Sequence, residues 1–333
     1  MKKMKLILGI GLILLIPISG CANSNNNTAR LEEEITDDEK NIDSKDKSDI
    51  VIGYSISSEA EPFAELCKER ILTVFNNKHP EWKIIVKSSD FDINIEAENT
   101  KSFIENECDI IIYHAVDTND SVNSIEMCNR AGIPCITIVN EVSDGKRIHI
   151  GGNNYACGQL IAEYVHDSIP ENGRLCILMG PAGSTNSADR VKGFKDSLDR
   201  EDVIVLDEQC GDWMEEKGKA IMQDWIATYD DIDMVFSCSD TMTPGALDAL
   251  KEAGKLNNTI VTSVDCSFEG LSRLAKGEMT CDMLYNTLTI ADRTMDTCER
   301  ILLGDTDIED YYFPFELINQ SNAKEVMNWY FSE

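Results

Sequence analysis

The sequence predicts an α/β protein made of two doubly wound lobes, each built around a parallel sheet. From residue 50 onward, short apolar runs rich in β-branched residues alternate with longer amphipathic segments at helical spacing. The alternation starts again near residue 154, so the chain contains two such series. The strand-like runs are almost wholly apolar, which is typical of parallel strands covered by helices on both faces.

The first series holds five predicted strands and three predicted helices. The strands are expected at residues 50–55, 82–86, 109–113, 133–139 and 148–151. The helices are expected at residues 63–75, 94–106 and 121–131. Gly132 ends the third helix, and Pro134 stands at the start of the fourth strand, where no ladder donor is needed.

The second series runs from residue 154 towards the end of the chain. Its strands are expected at residues 174–179, 203–206, 234–237, 260–264 and 279–284, with a further candidate at 313–317. Its helices are expected at residues 154–168, 189–198, 215–229, 245–253, 268–275 and 288–303. Ligands of doubly wound sheets bind beyond the carboxyl ends of the strands, so the cleft between the lobes is the expected site.

The composition describes an acidic globular protein. The chain has 333 residues with 60 Asp and Glu against 30 Lys and Arg, a formal net charge of -30. The hydrophobic fraction of 42% is that of a folded protein, and the length favours two domains. A nucleic acid or an anionic membrane surface requires a basic face, so the charge argues against both partners.

The N-terminus has the three parts of a secretory signal: early lysines, an apolar run at 6–18 and small residues before Cys21. The run is shorter than the ~20 residues of a membrane-spanning helix. Residues 18–21 resemble the lipobox of bacterial lipoproteins, in which the cysteine is lipidated; the alternative is a signal peptide that merely ends near a cysteine. We therefore expect a lipoprotein signal peptide at 1–20, lipidation of Cys21 and an acidic disordered tether at 21–49.

The cysteines and histidines give no sign of catalysis or metal binding. Eleven of the 12 cysteines remain once Cys21 is assigned to lipid, and an odd number cannot all pair internally. Most lie in apolar runs and are expected to be buried thiols, with a bridge between Cys128 and Cys135 as an alternative. No C-x-x-C and no activated nucleophile set occurs, so we expect no metal, no cofactor, no catalytic residue and no enzyme activity.

Several loop motifs share their order and spacing with one known family. They are Glu-Pro-Phe at 61–63, Ala-Gly-Ile-Pro at 131–134, Arg-Val-Lys-Gly-Phe at 190–194, Asp240 with Gly-Ala-Leu at 245–247, Asp265, and Gly-Glu at 277–278. From about residue 50 to 317 the chain resembles the periplasmic sugar-binding proteins of ABC importers, ribose-binding type. The repressors that share this core carry a basic DNA-binding headpiece, whose place is taken here by a signal peptide and an acidic tether.

The resemblance implies two Rossmann-like lobes joined by a three-segment hinge, with the ligand in the cleft between them. The first lobe would comprise residues 50–152 plus 286–312, and the second 153–285 plus 313–333. The crossings would lie near residues 150–153, 285–287 and 310–313.

The resemblance also implies a set of ligand-binding residues. Phe63 matches a ring that covers the sugar, although a core position is the alternative, and Trp213 matches the aromatic of the second lobe. Arg190 matches the family's ligand-binding arginine, unless it only pairs with an acid such as Asp189. Asp265 matches the aspartate that accepts from sugar hydroxyls.

Other cleft positions depart from the ribose-binding pattern, and we keep them as ligand-binding candidates. Asn140 and Glu141 replace Asp-Arg, Ser239 replaces Asn beside the retained Asp240, and Tyr285 replaces Gln. Glu61 replaces an Asn near the cleft mouth. These changes argue against ribose itself and leave a related sugar or polyol as the expected ligand. Three acids (Glu61, Glu141 and Asp265) would also suit a cationic or amino-bearing ligand.

The sequence therefore predicts a monomeric receptor on the outer face of the cell membrane, anchored by lipid on Cys21. It would capture a sugar or polyol by hinge closure and deliver it to an ABC permease. The alternative is a ligand-sensing subunit that feeds a sensor kinase or chemoreceptor. An enzyme acting on glycosides would need paired carboxylates, for which Glu141 and Asp265 are the candidates, and the resemblance disfavours it.

Overall fold

The computed structural model of the protein describes residues 49–332, so the predicted signal peptide, Cys21 and nearly all of the tether lie outside the described residues. Within that part, every helix is too short or too polar to cross a bilayer. The described chain forms two six-stranded sheets with helices packed around them, which confirms the predicted α/β class.

The first sheet contains six parallel strands in the order β2-β1-β3-β4-β5-β11. These strands are β1 (Val51–Ile56), β2 (Lys83–Ser88), β3 (Ile110–Tyr113), β4 (Cys135–Ile138), β5 (Ile148–Gly152) and β11 (Tyr311–Phe313). Its helices are α1 (Pro62–Lys78), α2 (Ile93–Glu105), α3 (Val122–Ala131) and α9 (Thr287–Leu302), the last of which packs on α1. Gly132 takes the left-handed conformation, φ 73°, that ends α3.

The second sheet repeats this order as β7-β6-β8-β9-β10-β12, but its last strand is antiparallel. Its strands are β6 (Arg174–Met179), β7 (Ile204–Cys210), β8 (Met234–Ser237), β9 (Ile260–Asp265), β10 (Cys281–Leu284) and β12 (Glu316–Asn319). Its helices are α4 (Asn154–Val165), α5 (Thr185–Ser197), α6 (Glu215–Thr228), α7 (Thr243–Glu252), α8 (Phe268–Ala275) and α10 (Ala323–Tyr330), with a 3-10 turn at Leu256–Asn258.

The chain crosses between the sheets three times. The crossings lie at Asn153, at residues 285–286 and at residues 314–315. Because β11 ends at the cleft edge and only two residues follow, the chain enters the second sheet from the cleft side. β12 must then run away from the cleft, which explains its antiparallel direction.

The third crossing differs from the expected position. Phe313 pairs with Gly152 as the last residue of β11, whereas the expected division assigns residue 313 to the second lobe. The sequence prediction also joined residues 313–317 into one strand. Pro314, which has no ladder donor, separates β11 from β12, and each strand belongs to a different sheet.

The described cysteines are free thiols. Ten of the eleven are buried and Cys210 is half-buried, as their apolar sequence context predicts. Cys128 and Cys135 form no bridge, and the Cys128 Sγ lies 3.1 Å from the Tyr113 hydroxyl. These cysteines pack as small apolar side chains between sheet and helices.

Candidate ligand-binding site

A cavity lies between the carboxyl ends of the two sheets and includes about 430 Å³ of unfilled space, part of it open to solvent. Two walls line it, one from each lobe. The first wall consists of Ser57, Glu61, Phe63, Phe91, His114, Val139 and Asn140. The second wall consists of Asn186, Arg190, Trp213, Ser239 and Asp265. The site therefore occupies the place that the doubly wound architecture predicts.

Hydrogen bonds join the two walls directly. The amide nitrogen of Asn186 donates to the carbonyl of Val139 at 3.2 Å and to Oδ1 of Asn140 at 2.8 Å. Further out, the hydroxyls of Thr118 and Thr185 lie 3.0 Å apart. The protein is therefore in a closed conformation, with the lobes in contact around the cavity.

Arg190 supplies the cation of the second wall. It projects from α5 and is only 3% exposed. Its Nε donates to Asn154 Oδ1 at 2.9 Å, and its Nη1 donates to the carbonyl of Cys238 at 2.5 Å. Nη1 also lies 3.9 Å from Oδ1 of Asp265. The guanidinium is thus held in place by the protein itself, beside a carboxylate at the cavity surface.

Asp265 ends β9 at the cavity and completes this pair. Its φ of 118° is rare for a residue with a side chain, and such strain is often found at binding sites. The hydroxyl of Ser239 donates to its Oδ2 at 2.5 Å. Burial raises the pKa of Asp265 to about 8, although the nearby Arg190 opposes the shift. Asp265 and Arg190 can together accept from and donate to neighbouring hydroxyls of a ligand.

Glu61 is the charged residue of the first wall. It caps α1, where its two carboxylate oxygens accept from the backbone N–H groups of Phe63 at 3.1 Å and Ala64 at 2.6 Å. Pro62 follows at the first helical position, where a missing N–H costs nothing. Glu61 is 9% exposed, and burial raises its pKa to about 7.

Two further polar groups of the first wall have no hydrogen-bond partner. These are the hydroxyl of Ser57 and Nδ1 of His114, and both residues are almost fully buried. They stand at the ends of neighbouring strands, where the His114 N–H donates to the carbonyl of Ser55 at 2.9 Å. Burial lowers the pKa of His114 to about 4, so the ring is neutral at pH 7.

Three aromatic rings border the cavity. Phe63 packs edge-on against Tyr285 with centroids 5.2 Å apart. Trp213 packs against Gly180, where a Cβ would overlap the indole ring. Phe91 is the most open of the three, with 47% of its surface exposed. Such rings can cover the apolar faces of a polyol ring.

Six of the nine predicted ligand residues line the cavity: Phe63, Asn140, Arg190, Trp213, Ser239 and Asp265. Three do not, and each has a different role. Glu141 lies outside the cavity, 2.7 Å from Arg147 and 2.9 Å from the Tyr312 hydroxyl. Its charge is therefore already matched at the surface.

Asp240 and Tyr285 are structural in the closed protein. Asp240 accepts from the Ser263 hydroxyl at 2.6 Å and from the Ser267 N–H at 2.7 Å, and thereby holds the start of α8. Tyr285 is fully buried in the hinge, where its hydroxyl accepts from the Gly152 N–H at 2.8 Å. The sequence placed both residues correctly after strands but could not show which way their side chains point.

Five lining residues were not singled out from the sequence: Ser57, Phe91, His114, Val139 and Asn186. Glu61, expected near the cleft mouth, also lines the cavity. His114 and Val139 each directly follow a strand, and Ser57 follows β1, so the rule about strand ends could have found them. Asn186 lies one turn before Arg190 on α5, which places both on the same helix face. Within the described residues, no cluster of three or more metal-ligating side chains occurs.

Comparison with known proteins places this geometry in a known family. A family model described as a periplasmic binding protein domain matches residues 52–306. A ribose import binding protein of Escherichia coli (strain K12) is 25% identical over 238 residues, which cover 71% of this chain and 80% of that protein.

Solved structures give the same picture. An ABC transporter solute-binding protein from Bacillus halodurans, solved with bound myo-inositol, superposes with a TM-score of 0.81 at 25% identity. The match covers 86% of this chain and 99% of that one. The fructose-binding periplasmic domain of a hybrid two-component system shares the fold at a TM-score of 0.78 and 22% identity, covering 84% of this chain and 96% of that one. With its two lobes joined by three crossings, the cavity between them and the family match, this chain belongs to the periplasmic binding proteins.

Proposed function

We propose that the protein is an extracytoplasmic, lipid-anchored receptor that captures a sugar or polyol and delivers it to an ABC permease. The observation that carries this proposal is the polar cavity between the lobes, in which Arg190 and Asp265 face the ligand space between aromatic rings. The chain belongs to a family of binding proteins, and no enzyme activity is proposed. The similarity to a ribose import binding protein and to a solute-binding protein solved with bound myo-inositol supports a hydroxyl-rich ligand.

Hinge closure is the proposed mechanism. The three crossings are short, and the walls meet through Asn186 and Asn140, so ligand bound to both walls would favour the closed form. The permease would then recognise the surface that the two lobes form in the closed, monomeric protein. Phe63 and Trp213 would cover the ligand ring, while Arg190 and Asp265 would bind its hydroxyls.

A ligand screen tests this proposal. The protein without residues 1–20 is heated in the presence of pentoses, hexoses, inositols and their derivatives, and ligands that raise the melting temperature are measured by calorimetry. We expect at least one hydroxyl-rich compound to bind with a Kd in the micromolar range, about -8 kcal/mol. Lack of binding by every sugar and polyol would contradict the proposal.

The lipid anchor is tested separately. The full chain and its Cys21→Ser variant are expressed in a bacterium, and the membranes are extracted with a detergent that separates into two phases. We expect the unmodified chain in the detergent phase, with a diacylglycerol-sized mass increase on the peptide that begins at residue 21. Recovery of both proteins in the aqueous phase would exclude the anchor.

A sensing role is the alternative, because the fold also serves as the ligand-binding domain of a two-component system. The liganded protein should stimulate ATP hydrolysis by a permease reconstituted in membranes if the import proposal holds. Stimulation of kinase autophosphorylation without an effect on the permease would favour sensing instead.

A further inference from the structure

The two walls of the cavity differ in their charge balance. The second wall carries one cation, Arg190, and one carboxylate, Asp265, whose nearest side-chain atoms are 3.9 Å apart. The first wall carries the carboxylate of Glu61, and none of the described residues that line this wall is a cation. When both acids are ionised, the closed cavity therefore has one carboxylate more than its basic side chains can match.

The helix that Glu61 caps does not compensate fully for its burial. The two N–H groups of α1 and the positive end of the helix dipole both favour the carboxylate. Burial nevertheless outweighs them, since the pKa of Glu61 is raised to about 7. Each carboxylate oxygen accepts one hydrogen bond from α1 and retains a further lone pair for a ligand.

Two unpartnered groups on the same wall point to a ligand donor. The Ser57 hydroxyl and His114 Nδ1 have no hydrogen-bond partner, although Ser57 is 1% and His114 is 4% exposed. Leaving such groups unpaired in a buried place costs free energy, so a ligand group is expected to pair with them. The Nδ1 of a neutral imidazole accepts in the tautomer that carries its proton on Nε2, a hydroxyl can accept, and a carboxylate only accepts.

These observations identify the ligand group by its chemistry. An ammonium has three N–H donors and a positive charge, whereas a hydroxyl has one donor and no charge. We infer that the ligand is an amino polyol or amino sugar whose protonated amine binds Glu61, Ser57 and His114, and this inference rests on the proposed function. The hydroxyls of the ligand bind Arg190 and Asp265 on the second wall.

Matched pairs of ligands test this inference. Binding is measured for glucose, glucosamine and N-acetylglucosamine, for the corresponding galactose series, and for myo-inositol with its mono-amino analogue. We expect one amine to bind at least ~30-fold more tightly than its hydroxyl and N-acetyl counterparts, the factor that corresponds to about 2 kcal/mol for a buried charged hydrogen bond. The N-acetyl compounds keep the nitrogen and remove the charge.

Variants then locate the amine. Glu61→Gln should remove most of the preference for the amine, measured as the ratio of the affinities for the amine and for its hydroxyl counterpart. Glu59→Gln is the matched control, since Glu59 lies two residues away, outside the cavity, and pairs with Lys68. It should keep the full preference. Unfolding of each variant without ligand is measured by circular dichroism, and the wild-type ligand pairs remain decisive if Glu61→Gln does not fold.

The outcomes separate this inference from the proposed function. Equal or tighter binding of the neutral compounds would overturn the amine while leaving a sugar receptor in place. An amine preference that survives in Glu61→Gln would overturn the assigned position. Failure of all neutral and amino compounds to bind would contradict the proposed function itself, and the inference with it.

Discussion

The two lobes place equivalent loops around the cavity but use them differently. The loop after β2 contains Asp90 and Phe91, and the loop after β7 contains Asp212 and Trp213. All four residues have a positive φ, at 48°, 57°, 52° and 58° respectively, and they occupy the same position in each lobe. The repeated strand order therefore places one aromatic ring from each of these two loops at the cavity, and the two loops share the same strained backbone shape.

The polar residues of the equivalent loops differ much more. After β8 and β9 the second lobe places Ser239 and Asp265, which bond to each other, and Arg190 lies beside them. After β1 and β3 the first lobe places Ser57 and His114, whose hydroxyl and Nδ1, respectively, have no hydrogen-bond partner. The second wall is thus organised before ligand binds, while the first wall retains groups for the ligand to satisfy. Replacing residues in each wall tests this difference.

Arg190→Ala should have the largest effect on binding. It removes the cation of the second wall and leaves Asp265 buried without a charged partner. Loss of one member of such a pair costs roughly 2–5 kcal/mol, so we expect the Kd to rise by at least ~30-fold. Calorimetry with the ligand found in the screen measures this.

Asp265→Asn is the companion variant, because it removes the charge and keeps the shape. It should also weaken binding by tens-fold while the circular dichroism spectrum remains that of the wild type. Near-wild-type affinity in both variants would contradict the assignment of this pair to the ligand.

Gly193→Ala should have the next largest effect, which is a decrease in the stability of the folded protein. Gly193 and Gly158 bring α5 and α4 close, and a Cβ at Gly193 would overlap the backbone carbonyl of Tyr155. Backbone atoms cannot move aside like side chains, so the helices must separate, at a cost of about 3 kcal/mol. Since α5 carries Arg190, ligand affinity should fall as well. Thermal unfolding should show a decrease in Tm of roughly 6–10 °C.

Gly53→Ala provides the comparison in the first lobe. Its Cβ would meet the Phe103 side chain at 2.8 Å, and a side chain can adjust more easily than a backbone. We expect a cost of about 1 kcal/mol and unchanged ligand affinity. Equal losses of stability in the two variants would show that the close contact between α4 and α5 is no less tolerant of an added Cβ than the contact between Gly53 and Phe103.

Sequence patterns predicted most of the fold because each strand of the two sheets has its own apolar run. β11 was not predicted as a separate strand, because it has only three residues. Pro314 follows it and interrupts the strand pattern at the point where the chain passes to the other lobe. Within the site, Arg190 and Asp265 could be identified from motifs. The side-chain direction of Tyr285 could not be predicted, because its bond to Gly152 joins residues 133 positions apart. The sequence likewise could not show that the Ser57 hydroxyl and His114 Nδ1 lack hydrogen-bond partners, because this depends on which atoms surround them in the folded chain.

Closure of the ligand-free protein should depend on pH. Burial in the closed cavity raises the pKa of Glu61 to about 7 and of Asp265 to about 8. The closed form therefore binds more protons than a solvated open form, so it is favoured at low pH and loses stability as pH rises through these values. Arg190, Asp240, Cys67 and Tyr285 surround the two acids, and Arg190 is the one cation of that group.

Small-angle scattering between pH 6 and 9 measures this closure. We expect the radius of gyration to increase with pH, driven by about 4 kcal/mol from the two acids together over this range. Glu61→Gln should reduce the dependence, and an exposed acid changed in the same way, Glu59→Gln, should leave it intact. A radius that does not change with pH would show that the buried carboxylates do not control closure.

The smallest expected effect is a difference in ligand affinity between variants of the two equivalent rings, Trp213 and Phe91. Trp213 packs against Gly180 and is therefore fixed over the cavity, whereas Phe91 is 47% exposed. A fixed ring covers ligand surface at little cost in lost freedom, so we expect Trp213→Ala to weaken binding by ~10-fold and Phe91→Ala by less than ~3-fold. Calorimetry on both variants with one ligand gives the comparison directly. If the two losses are equal, the ring positions contribute alike, and the difference between the walls lies only in their polar groups.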